Sequence, residues 1–371
     1  MNVPLFDLNW DEDEEREVFE VLRSKWVSMG PKTEEYENAL RDFYGVRYAL
    51  SFNNGTSALL AAYRSAGLKG KVILPSLTFV ATANALTFLN LEPVFADIHS
   101  LEFPVISAEE IEKVLDKRVS AVVYVNYAGY SLFIDEIREL CDEKGLILIE
   151  DASHAHGAIY KGKYAGTWGN VGAFSTFANK NLSTGEGGYI LTEDPEIYKR
   201  AKLFRSHGMS SSSWERLKEG KNRIYDVLDI GLNLRPCEIQ AAIGLANLRK
   251  LAEENRKRMF LVSLYRKLIS EELPEILIPF MDVPVEYSSH YIFPILLPKG
   301  VNRDKVVEKL AEMGISTSVH YPPIHLFSFY NKNLRLPKTE EYSSRTLSLP
   351  LWGNMGEERV YRVVEGIKKS F

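Results

Sequence analysis

The sequence predicts an α/β fold: a three-layer α/β/α large domain on a mainly parallel seven-stranded sheet, followed by a smaller α+β C-terminal domain. Three observations lead there. Short apolar runs alternate with helical patterns through the first two thirds of the chain. The runs are apolar at consecutive positions, as in strands covered on both faces. Beyond Pro236 one long helical pattern rich in Lys, Arg, Glu and Leu takes over, and mixed elements follow it.

The predicted strands, in order, are Tyr48–Phe52, Val72–Leu74, Pro93–Ala96, Ala121–Tyr124, Leu146–Ile149, Gly172–Phe177 and Gly188–Leu191. Between them lie helical segments at Thr56–Ala66, Thr78–Asn90, Ala108–Leu115 and Ile134–Lys144, with Pro195–Ser206 after the last. Met209–Arg223, with four consecutive serines from Ser210, reads as a polar surface loop. The helix from Pro236 to about Ile269 links the two domains, set at residues 1–245 and 246–371. The second has strands near Tyr291–Leu297 and Ser316–His320 and helices at Arg303–Met313 and Glu357–Lys369.

Val72–Leu91 holds no charge and has the length of a membrane span. Pro75 interrupts it, and Ser76, Thr78, Thr82, Asn84, Thr87 and Asn90 scatter polar groups through it. A buried strand, a turn and a buried helix fit better. The composition agrees with a soluble enzyme or binding protein: 371 residues, 45% hydrophobic, with a net charge of -5. That balance argues against a nucleic-acid partner, whose binding domains are usually basic. The 2 cysteines, Cys141 and Cys237, make no disulfide framework. With the acidic start Asp11–Glu15 they predict a cytoplasmic location without a signal peptide.

Three segments carry chemistry. In Ser175–Gly188 an apolar strand ends in a hydroxyl residue, Lys180 follows in an uncharged loop, and Gly185-Glu186-Gly187-Gly188 leads into another strand. A lysine is ordinarily a solvated surface group. Held between two core strands it would be desolvated, and its neutral amine would be available for Schiff-base chemistry. In Leu146–Gly157 an apolar strand delivers Glu150 and Asp151 to its carboxyl end, with His154 and His156 close behind. These residues read as metal ligands, as a strand-end cap, or as a carboxylate facing a heterocycle nitrogen. The metal reading lacks thiolates and helical spacing, so no metal is expected. Lys180 favours the heterocycle: pyridoxal phosphate (PLP) needs a carboxylate to keep its pyridine nitrogen protonated. In Asn53–Ala58 a strand turns through Gly55 into a helix start, where N–H groups and hydroxyls suit phosphate, although Thr and Ser there are also ordinary caps. A phosphate cradle, a carboxylate and a sequestered lysine together specify a PLP enzyme.

Further runs fall in order along the chain: Trp26–Pro31, Asn54–Leu59, Thr78–Thr82, Glu150–Ala155, Arg205–Gly208, Gly231–Arg235, Glu238–Ala242 and His320–His325. In these motifs the chain resembles the DegT–DnrJ–StrS family of PLP-dependent sugar aminotransferases, of the fold-type-I, aspartate aminotransferase-like architecture. The resemblance implies that Lys180 holds the cofactor and shuttles the substrate proton. It implies that Asp151 pairs with the pyridine nitrogen and that His154 lies beside the phenolic oxygen. Gly55, Thr56, Ser57 and Ser175 become cofactor contacts at the phosphate, and Phe79 the aromatic on the ring face. Asn233 corresponds to a residue that reaches the phosphate from the partner subunit, which implies a homodimer with sites at the interface. His320 and Tyr321 fall where relatives line the sugar pocket, and they read equally as a structural turn. Two positions are informative. Many relatives have Phe-Phe or Phe-His where this chain has Thr176-Phe177. The dehydratase branch has histidine at the lysine position, so Lys180 points to transamination.

The reaction so implied moves an amino group from an amino acid, L-glutamate by resemblance, to a keto group of a nucleotide-activated sugar, for amino-sugar or surface-polysaccharide synthesis. A cyclitol ketone is the alternative acceptor, and a fold-type-I lyase or desulfurase the alternative enzyme.

Overall fold

Two helices that apolar periodicity does not announce open the chain in the computed structural model, which describes residues 2–211, 213–218, 225–331 and 333–370. α1 (Glu12–Ser24) starts at a capping box. Asp11 accepts from the Asp13 N–H while Glu14 takes the Asp11 N–H at 2.8 Å. Acidic residues fill its first turn, where the helix dipole favours them. α2 (Pro31–Tyr44) begins with proline in its first turn, where the missing N–H costs nothing. Both helices pack on the long α9 described below.

The strands then follow the apolar runs. β1 (Tyr48–Phe52) leads to α3 (Gly55–Ser65), β2 (Lys71–Pro75) to α4 (Ala81–Phe88), and β3 (Glu92–Ala96) to α5 (Ala108–Glu112). β4 (Val119–Val125), α6 (Ile134–Lys144) and β5 (Ile147–Asp151) come next. A small hairpin, β6 (Ile159–Tyr160) and β7 (Lys163–Tyr164), precedes β8 (Val171–Ser175), β9 (Gly188–Thr192), α7 (Pro195–Arg205) and α8 (Ser213–Lys218). Seven of these strands form one sheet in the order β1-β9-β8-β5-β4-β2-β3. Only β9 runs against the others: it pairs antiparallel with β1 and β8, and every other pairing is parallel. The mainly parallel seven-stranded sheet is therefore present.

Its two faces are both apolar, which is why the strands read as continuous runs. On β4, Ala121 and Val123 join a core with α3, α4 and α7, whereas Val122 and Tyr124 join one with α5 and α6. The charge-free window divides into β2 and α4, the latter 8 residues long. Among the described residues no helix is long and apolar enough to cross a membrane.

α9 (Glu238–Glu272) runs unbroken for 35 residues, so residue 245 falls inside it. Its far half supplies Leu261, Tyr265 and Ile269 to a separate core with β10 (Phe293–Leu296), α10 (Arg303–Glu312), β11 (Thr346–Leu349) and α12 (Glu357–Lys368). Between α10 and β11 lies α11 (Pro337–Arg345). Val3 enters this core from the chain start and bridges to Ile315.

Three local expectations change. Ser316–His320 makes only one bridge, Ser318 to Ser348, and β10 takes β11 as its antiparallel partner. The strand expected to end at Phe177 stops at Ser175, where the Thr176 hydroxyl turns to Thr184. Within Met209–Arg223 a short helix, α8, packs Trp214 against Trp26; residues 212 and 219–223 lie outside the described ones.

Candidate active site

Parallel strands that end together leave a crevice beyond their carboxyl ends, where ligands gather in such sheets. Here that crevice is a cavity of about 360 Å³. Asn54, Gly55 and Thr56 enter it from the β1–α3 turn, Thr78 and Phe79 from the turn before α4, and Asp151, Ser153 and His154 from the end of β5. Ser175, Asn179, Lys180 and Glu186 come from the β8–β9 connection, and Tyr291, His320 and Tyr321 from the C-terminal half.

Lys180 is partly open to the cavity, and its amine lies 3.8 Å from the centroid of the Tyr291 ring. Among the described residues no carboxylate forms an ion pair with it. Burial lowers its pKa to about 7, against the opposing pull of Asp151. A turn in which the Lys180 N–H donates to the Phe177 carbonyl fixes the backbone. The departure at Thr176 has a structural explanation. Its hydroxyl meets that of Thr184 at 2.6 Å, and a side chain at Gly187 would collide with both. Thr176 thus closes the base of the lysine loop, while Phe177 lines the cavity.

Asp151 is buried, and its two oxygens accept from different hydroxyls: Oδ1 from Ser153 at 2.6 Å and Oδ2 from Thr82 at 2.7 Å. Hydroxyl donors rotate, so the carboxylate keeps capacity for a ligand. His154 is buried beside Tyr321, with Nε2 2.8 Å from the tyrosine hydroxyl. Burial, with Lys180 nearby, holds its pKa well below the usual value, so the ring is neutral. Its buried Nδ1 has no partner among the described residues, an atom left for a bound group to satisfy.

At the opposite end Gly55 starts α3 against Ser175: a Cβ on Gly55 would lie 2.5 Å from the Ser175 Cβ. Only glycine lets the helix end and the strand end close into one cradle. The Asn54 side chain takes the Ser57 N–H at 2.8 Å, and the earlier N–H groups have no acceptor within the helix. Thr56 is exposed into the cavity, whereas Ser57, about 100° further round the helix, is buried and outside its lining. Ser175 is held from behind. Its carbonyl can only accept, so His156 Nε2 carries the proton at 2.8 Å, and Nδ1 accepts from the Tyr189 hydroxyl at 2.9 Å. That hydroxyl in turn accepts from Tyr44, which accepts from the Gly157 N–H.

One cavity thus gathers Lys180, Asp151, His154, Gly55, Thr56, Ser175, Phe79, His320 and Tyr321. Asn233 lies apart from it, exposed, in a bridge to Ser206. Sequence reasoning gave no role to Tyr291, Thr82, Ser153 or Glu186. Thr82 and Ser153 stand inside quoted motifs, so local signal existed; Tyr291 has none, because it arrives by tertiary packing. Among the described residues no cluster of His, Cys, Asp and Glu can hold a metal ion. A helix-end anion cradle, an open carboxylate, an orphaned imidazole nitrogen and an amine of lowered pKa together fit a phosphorylated pyridine aldehyde.

Comparisons with known proteins agree with this chemistry. The sequence model of the DegT/DnrJ/EryC1/StrS aminotransferase family matches residues 9–368. The chain is 34% identical to the spore coat polysaccharide biosynthesis protein SpsC of Bacillus subtilis, over 96% of this chain and 94% of that one. It is also 34% identical to the UDP-4-amino-4,6-dideoxy-N-acetyl-beta-L-altrosamine transaminase of Helicobacter pylori, over 97% of this chain and 96% of that one. Among solved structures it resembles Helicobacter pylori PseC, an aminotransferase of pseudoaminic acid biosynthesis. The TM-score is 0.93 with 32% identity, over 100% of this chain and 99% of that one. A match of this extent leaves one assignment: the chain belongs to the DegT/DnrJ/EryC1/StrS aminotransferase family and is a PLP-dependent transaminase.

Proposed function

We propose that this cavity transfers an amino group from an amino acid, taken as L-glutamate, to a keto carbon of a nucleotide-activated sugar, in amino-sugar or surface-polysaccharide synthesis. The observation that carries this reading is the Lys180 amine, which faces the cavity without a carboxylate ion pair among the described residues and is brought to a pKa of about 7. Near neutral pH such an amine is available both as nucleophile and as base.

In this reading Lys180 binds the cofactor and later moves a proton at its Nζ. Bound PLP supplies the electron sink that stabilises negative charge at the substrate carbon. Asp151, braced by Thr82 and Ser153, would hold the pyridine nitrogen protonated. Gly55, Thr56 and Ser175 would hold the phosphate end, whereas Ser57, its side chain outside the cavity lining and its N–H taken by Asn54, would only support the helix start. His154 would stand beside the phenolic oxygen, and Phe79 would cover the ring. Asn233, exposed and outside its own cavity, would reach the phosphate of a second subunit in a homodimer. His320 and Tyr321 would border the sugar. Burial brings the His320 pKa down to about 3, so it would offer a neutral imidazole. The division at 1–245 and 246–371 belongs to this proposal, as does the cytoplasmic location.

The relatives support a nucleotide-sugar acceptor: the Helicobacter pylori transaminase is named for a UDP-sugar. A desulfurase would need a cysteine at the reacting atoms. Cys141 is buried in α6 with its pKa pushed up to about 11, and Cys237 sits at the start of α9; neither lines the cavity. The test incubates the purified enzyme with glutamate and a panel of nucleotide keto-sugars, with cyclitol ketones as the competing acceptor class. Mass spectrometry should find an amino-sugar nucleotide and 2-oxoglutarate in equal amounts. Amination of cyclitols alone would overturn the acceptor assignment.

A further inference from the structure

The segment Ser288–Tyr291, just before β10, is wired into both loops that carry the site. Asn181, next to Lys180, donates through Nδ2 to the Ser289 carbonyl at 2.6 Å and to Asn255 at 2.9 Å. The Ser289 hydroxyl donates to the His154 carbonyl at 2.9 Å, and the Ser288 hydroxyl to the Ala128 carbonyl at 2.8 Å. The packing has no slack: a Cβ on Gly129 would meet the two serine hydroxyls at 2.6 and 2.9 Å. Tyr291 stands at the end of this brace. Its buried ring lies 4.2 Å, centroid to centroid, from His154. The Lys180 amine rests 3.8 Å from the centroid of that ring.

We propose that Tyr291 is the positioning residue for Lys180: its ring face holds the amine whenever the lysine is not bonded to the cofactor. This rests on Lys180 being the cofactor-bearing residue. A released lysine has four rotatable side-chain bonds and would lose its aim if nothing retained it. A carboxylate contact would retain it by fixing the proton on the amine, which removes its use as a base. An aromatic face retains the ammonium by only roughly 3- to 30-fold, and the neutral amine less. Tyr291 therefore localises the amine without locking its charge. The other groups around the amine do not replace this hold. Asp151 acts on the amine across space without forming an ion pair with it; His154, His156 and His320 are buried and neutral; Tyr321 is turned to His154. Glu186 lines the same cavity without an ion pair to Lys180 among the described residues, and Arg258 faces Tyr291 from α9.

The test uses the full chain stripped of cofactor and reads Lys180 directly. Trace acylation at a series of pH values, quantified by mass spectrometry of the Lys180 peptide, gives the titration midpoint of the amine. Tyr291→Phe keeps the ring. Phenylalanines with increasing ring fluorination at the same position keep its shape while draining charge from its face. The midpoint should stay near that of the parent in Tyr291→Phe and fall stepwise with fluorination, by roughly 0.5–1.5 pH units in all. The rate of cofactor recapture, followed by its visible absorbance, should fall in the same order. A midpoint that does not move along the fluorine series overturns the proposal. Unfolding midpoints that match across this shape-conserving series exclude a folding defect. Lys180→Ala separates the two levels of inference. Retention of the cofactor's covalent absorbance there overturns the reading of Lys180, whereas its loss beside a flat fluorine series overturns the role of Tyr291 alone.

Discussion

Glu150 and Asp151 are consecutive carboxylates at the end of one strand, and the molecule treats them in opposite ways. Strand alternation sends their side chains to opposite faces of the sheet. Glu150 is wholly buried and saturated. It accepts from the backbone N–H groups of Gly166, Trp168 and Gly169 at 2.7, 2.7 and 2.8 Å, and from Asn126 at 3.4 Å. Burial nevertheless holds its pKa above the ordinary carboxylate value. Asp151 opens into the cavity and holds two rotatable hydroxyl donors beside one longer backbone N–H, from Ser153 at 3.3 Å; it shares its space with an amine that has no ion pair among the described residues. Backbone donors cannot leave without unfolding a turn; hydroxyl donors can turn toward a ligand. The first carboxylate is tied into the fold, whereas the second is left open to a ligand.

The strongest way to break that contrast is at the amine facing Asp151. Lys180→Ala should abolish transamination, since loss of positioned proton transfer alone removes about 10²–10⁴-fold. The visible band of the bound cofactor should vanish with it. Normal turnover in that variant would end the assignment of Lys180. Next in size is Asp151→Asn, which keeps the shape, lets the Thr82 hydroxyl turn to the Phe79 carbonyl and accept from the new amide, and removes the charge. Turnover should fall by about 10²–10³-fold, as expected when one preorganised electrostatic partner is lost. Its urea midpoint should stay near that of the parent; a large drop would mean that Asp151 is structural after all.

Glu150 should show the reverse. Glu150→Ala leaves three backbone N–H groups buried without acceptors, each costing about 1–3 kcal/mol. The loss of stability should exceed about 3 kcal/mol in urea unfolding. The pH dependence of whatever activity survives should be unchanged, because Glu150 does not line the cavity. A shifted pH profile with little loss of stability would place Glu150 in the chemistry.

How far the sequence discloses this contrast depends on the scale of the feature. The sheet strands were legible to within about two residues, because doubly covered strands are apolar at consecutive positions between turn residues. α1 and α2 were not, since both are charged amphipathic helices whose signal is a cap. The Asp11–Glu14 capping box was there to be read. The small sheet was half legible: β10 lies within an apolar run, whereas β11, Thr-Leu-Ser-Leu, is too short and too polar to stand out. That Lys180 and Asp151 would share one cavity was legible because such residues are unusual at a strand end. Which of Glu150 and Asp151 faces the cavity came from the family resemblance alone, since that parity is set by the register of β5 in the sheet. Tyr291 was invisible for a related reason: its place beside Lys180 depends on how a segment more than a hundred residues away folds back.

The smallest effect expected is the most pointed, because it concerns stability at the functional end. Lys180 has a folded pKa of about 7 against 10.5 in an unfolded chain. Between those values the unfolded chain binds a proton that the folded one lacks, so this group makes stability rise with pH across that window. Below about pH 7 both states carry the charge, and the folded state bears the full burden of an enclosed ammonium. The Tyr291 ring and Asp151 offset part of it. In cofactor-free protein Lys180→Met should therefore be more stable than the parent at pH 7, by about 1–3 kcal/mol. The gain should shrink steadily and disappear near pH 10.5. Urea midpoints of the two proteins across that range measure it directly. A stabilisation that does not change with pH would trace to packing by the thioether, and a destabilised variant would mean that the amine is well satisfied where it lies. Removal of Glu150 should weaken the fold and removal of Lys180 should strengthen it, the pattern expected where stability is given up for function.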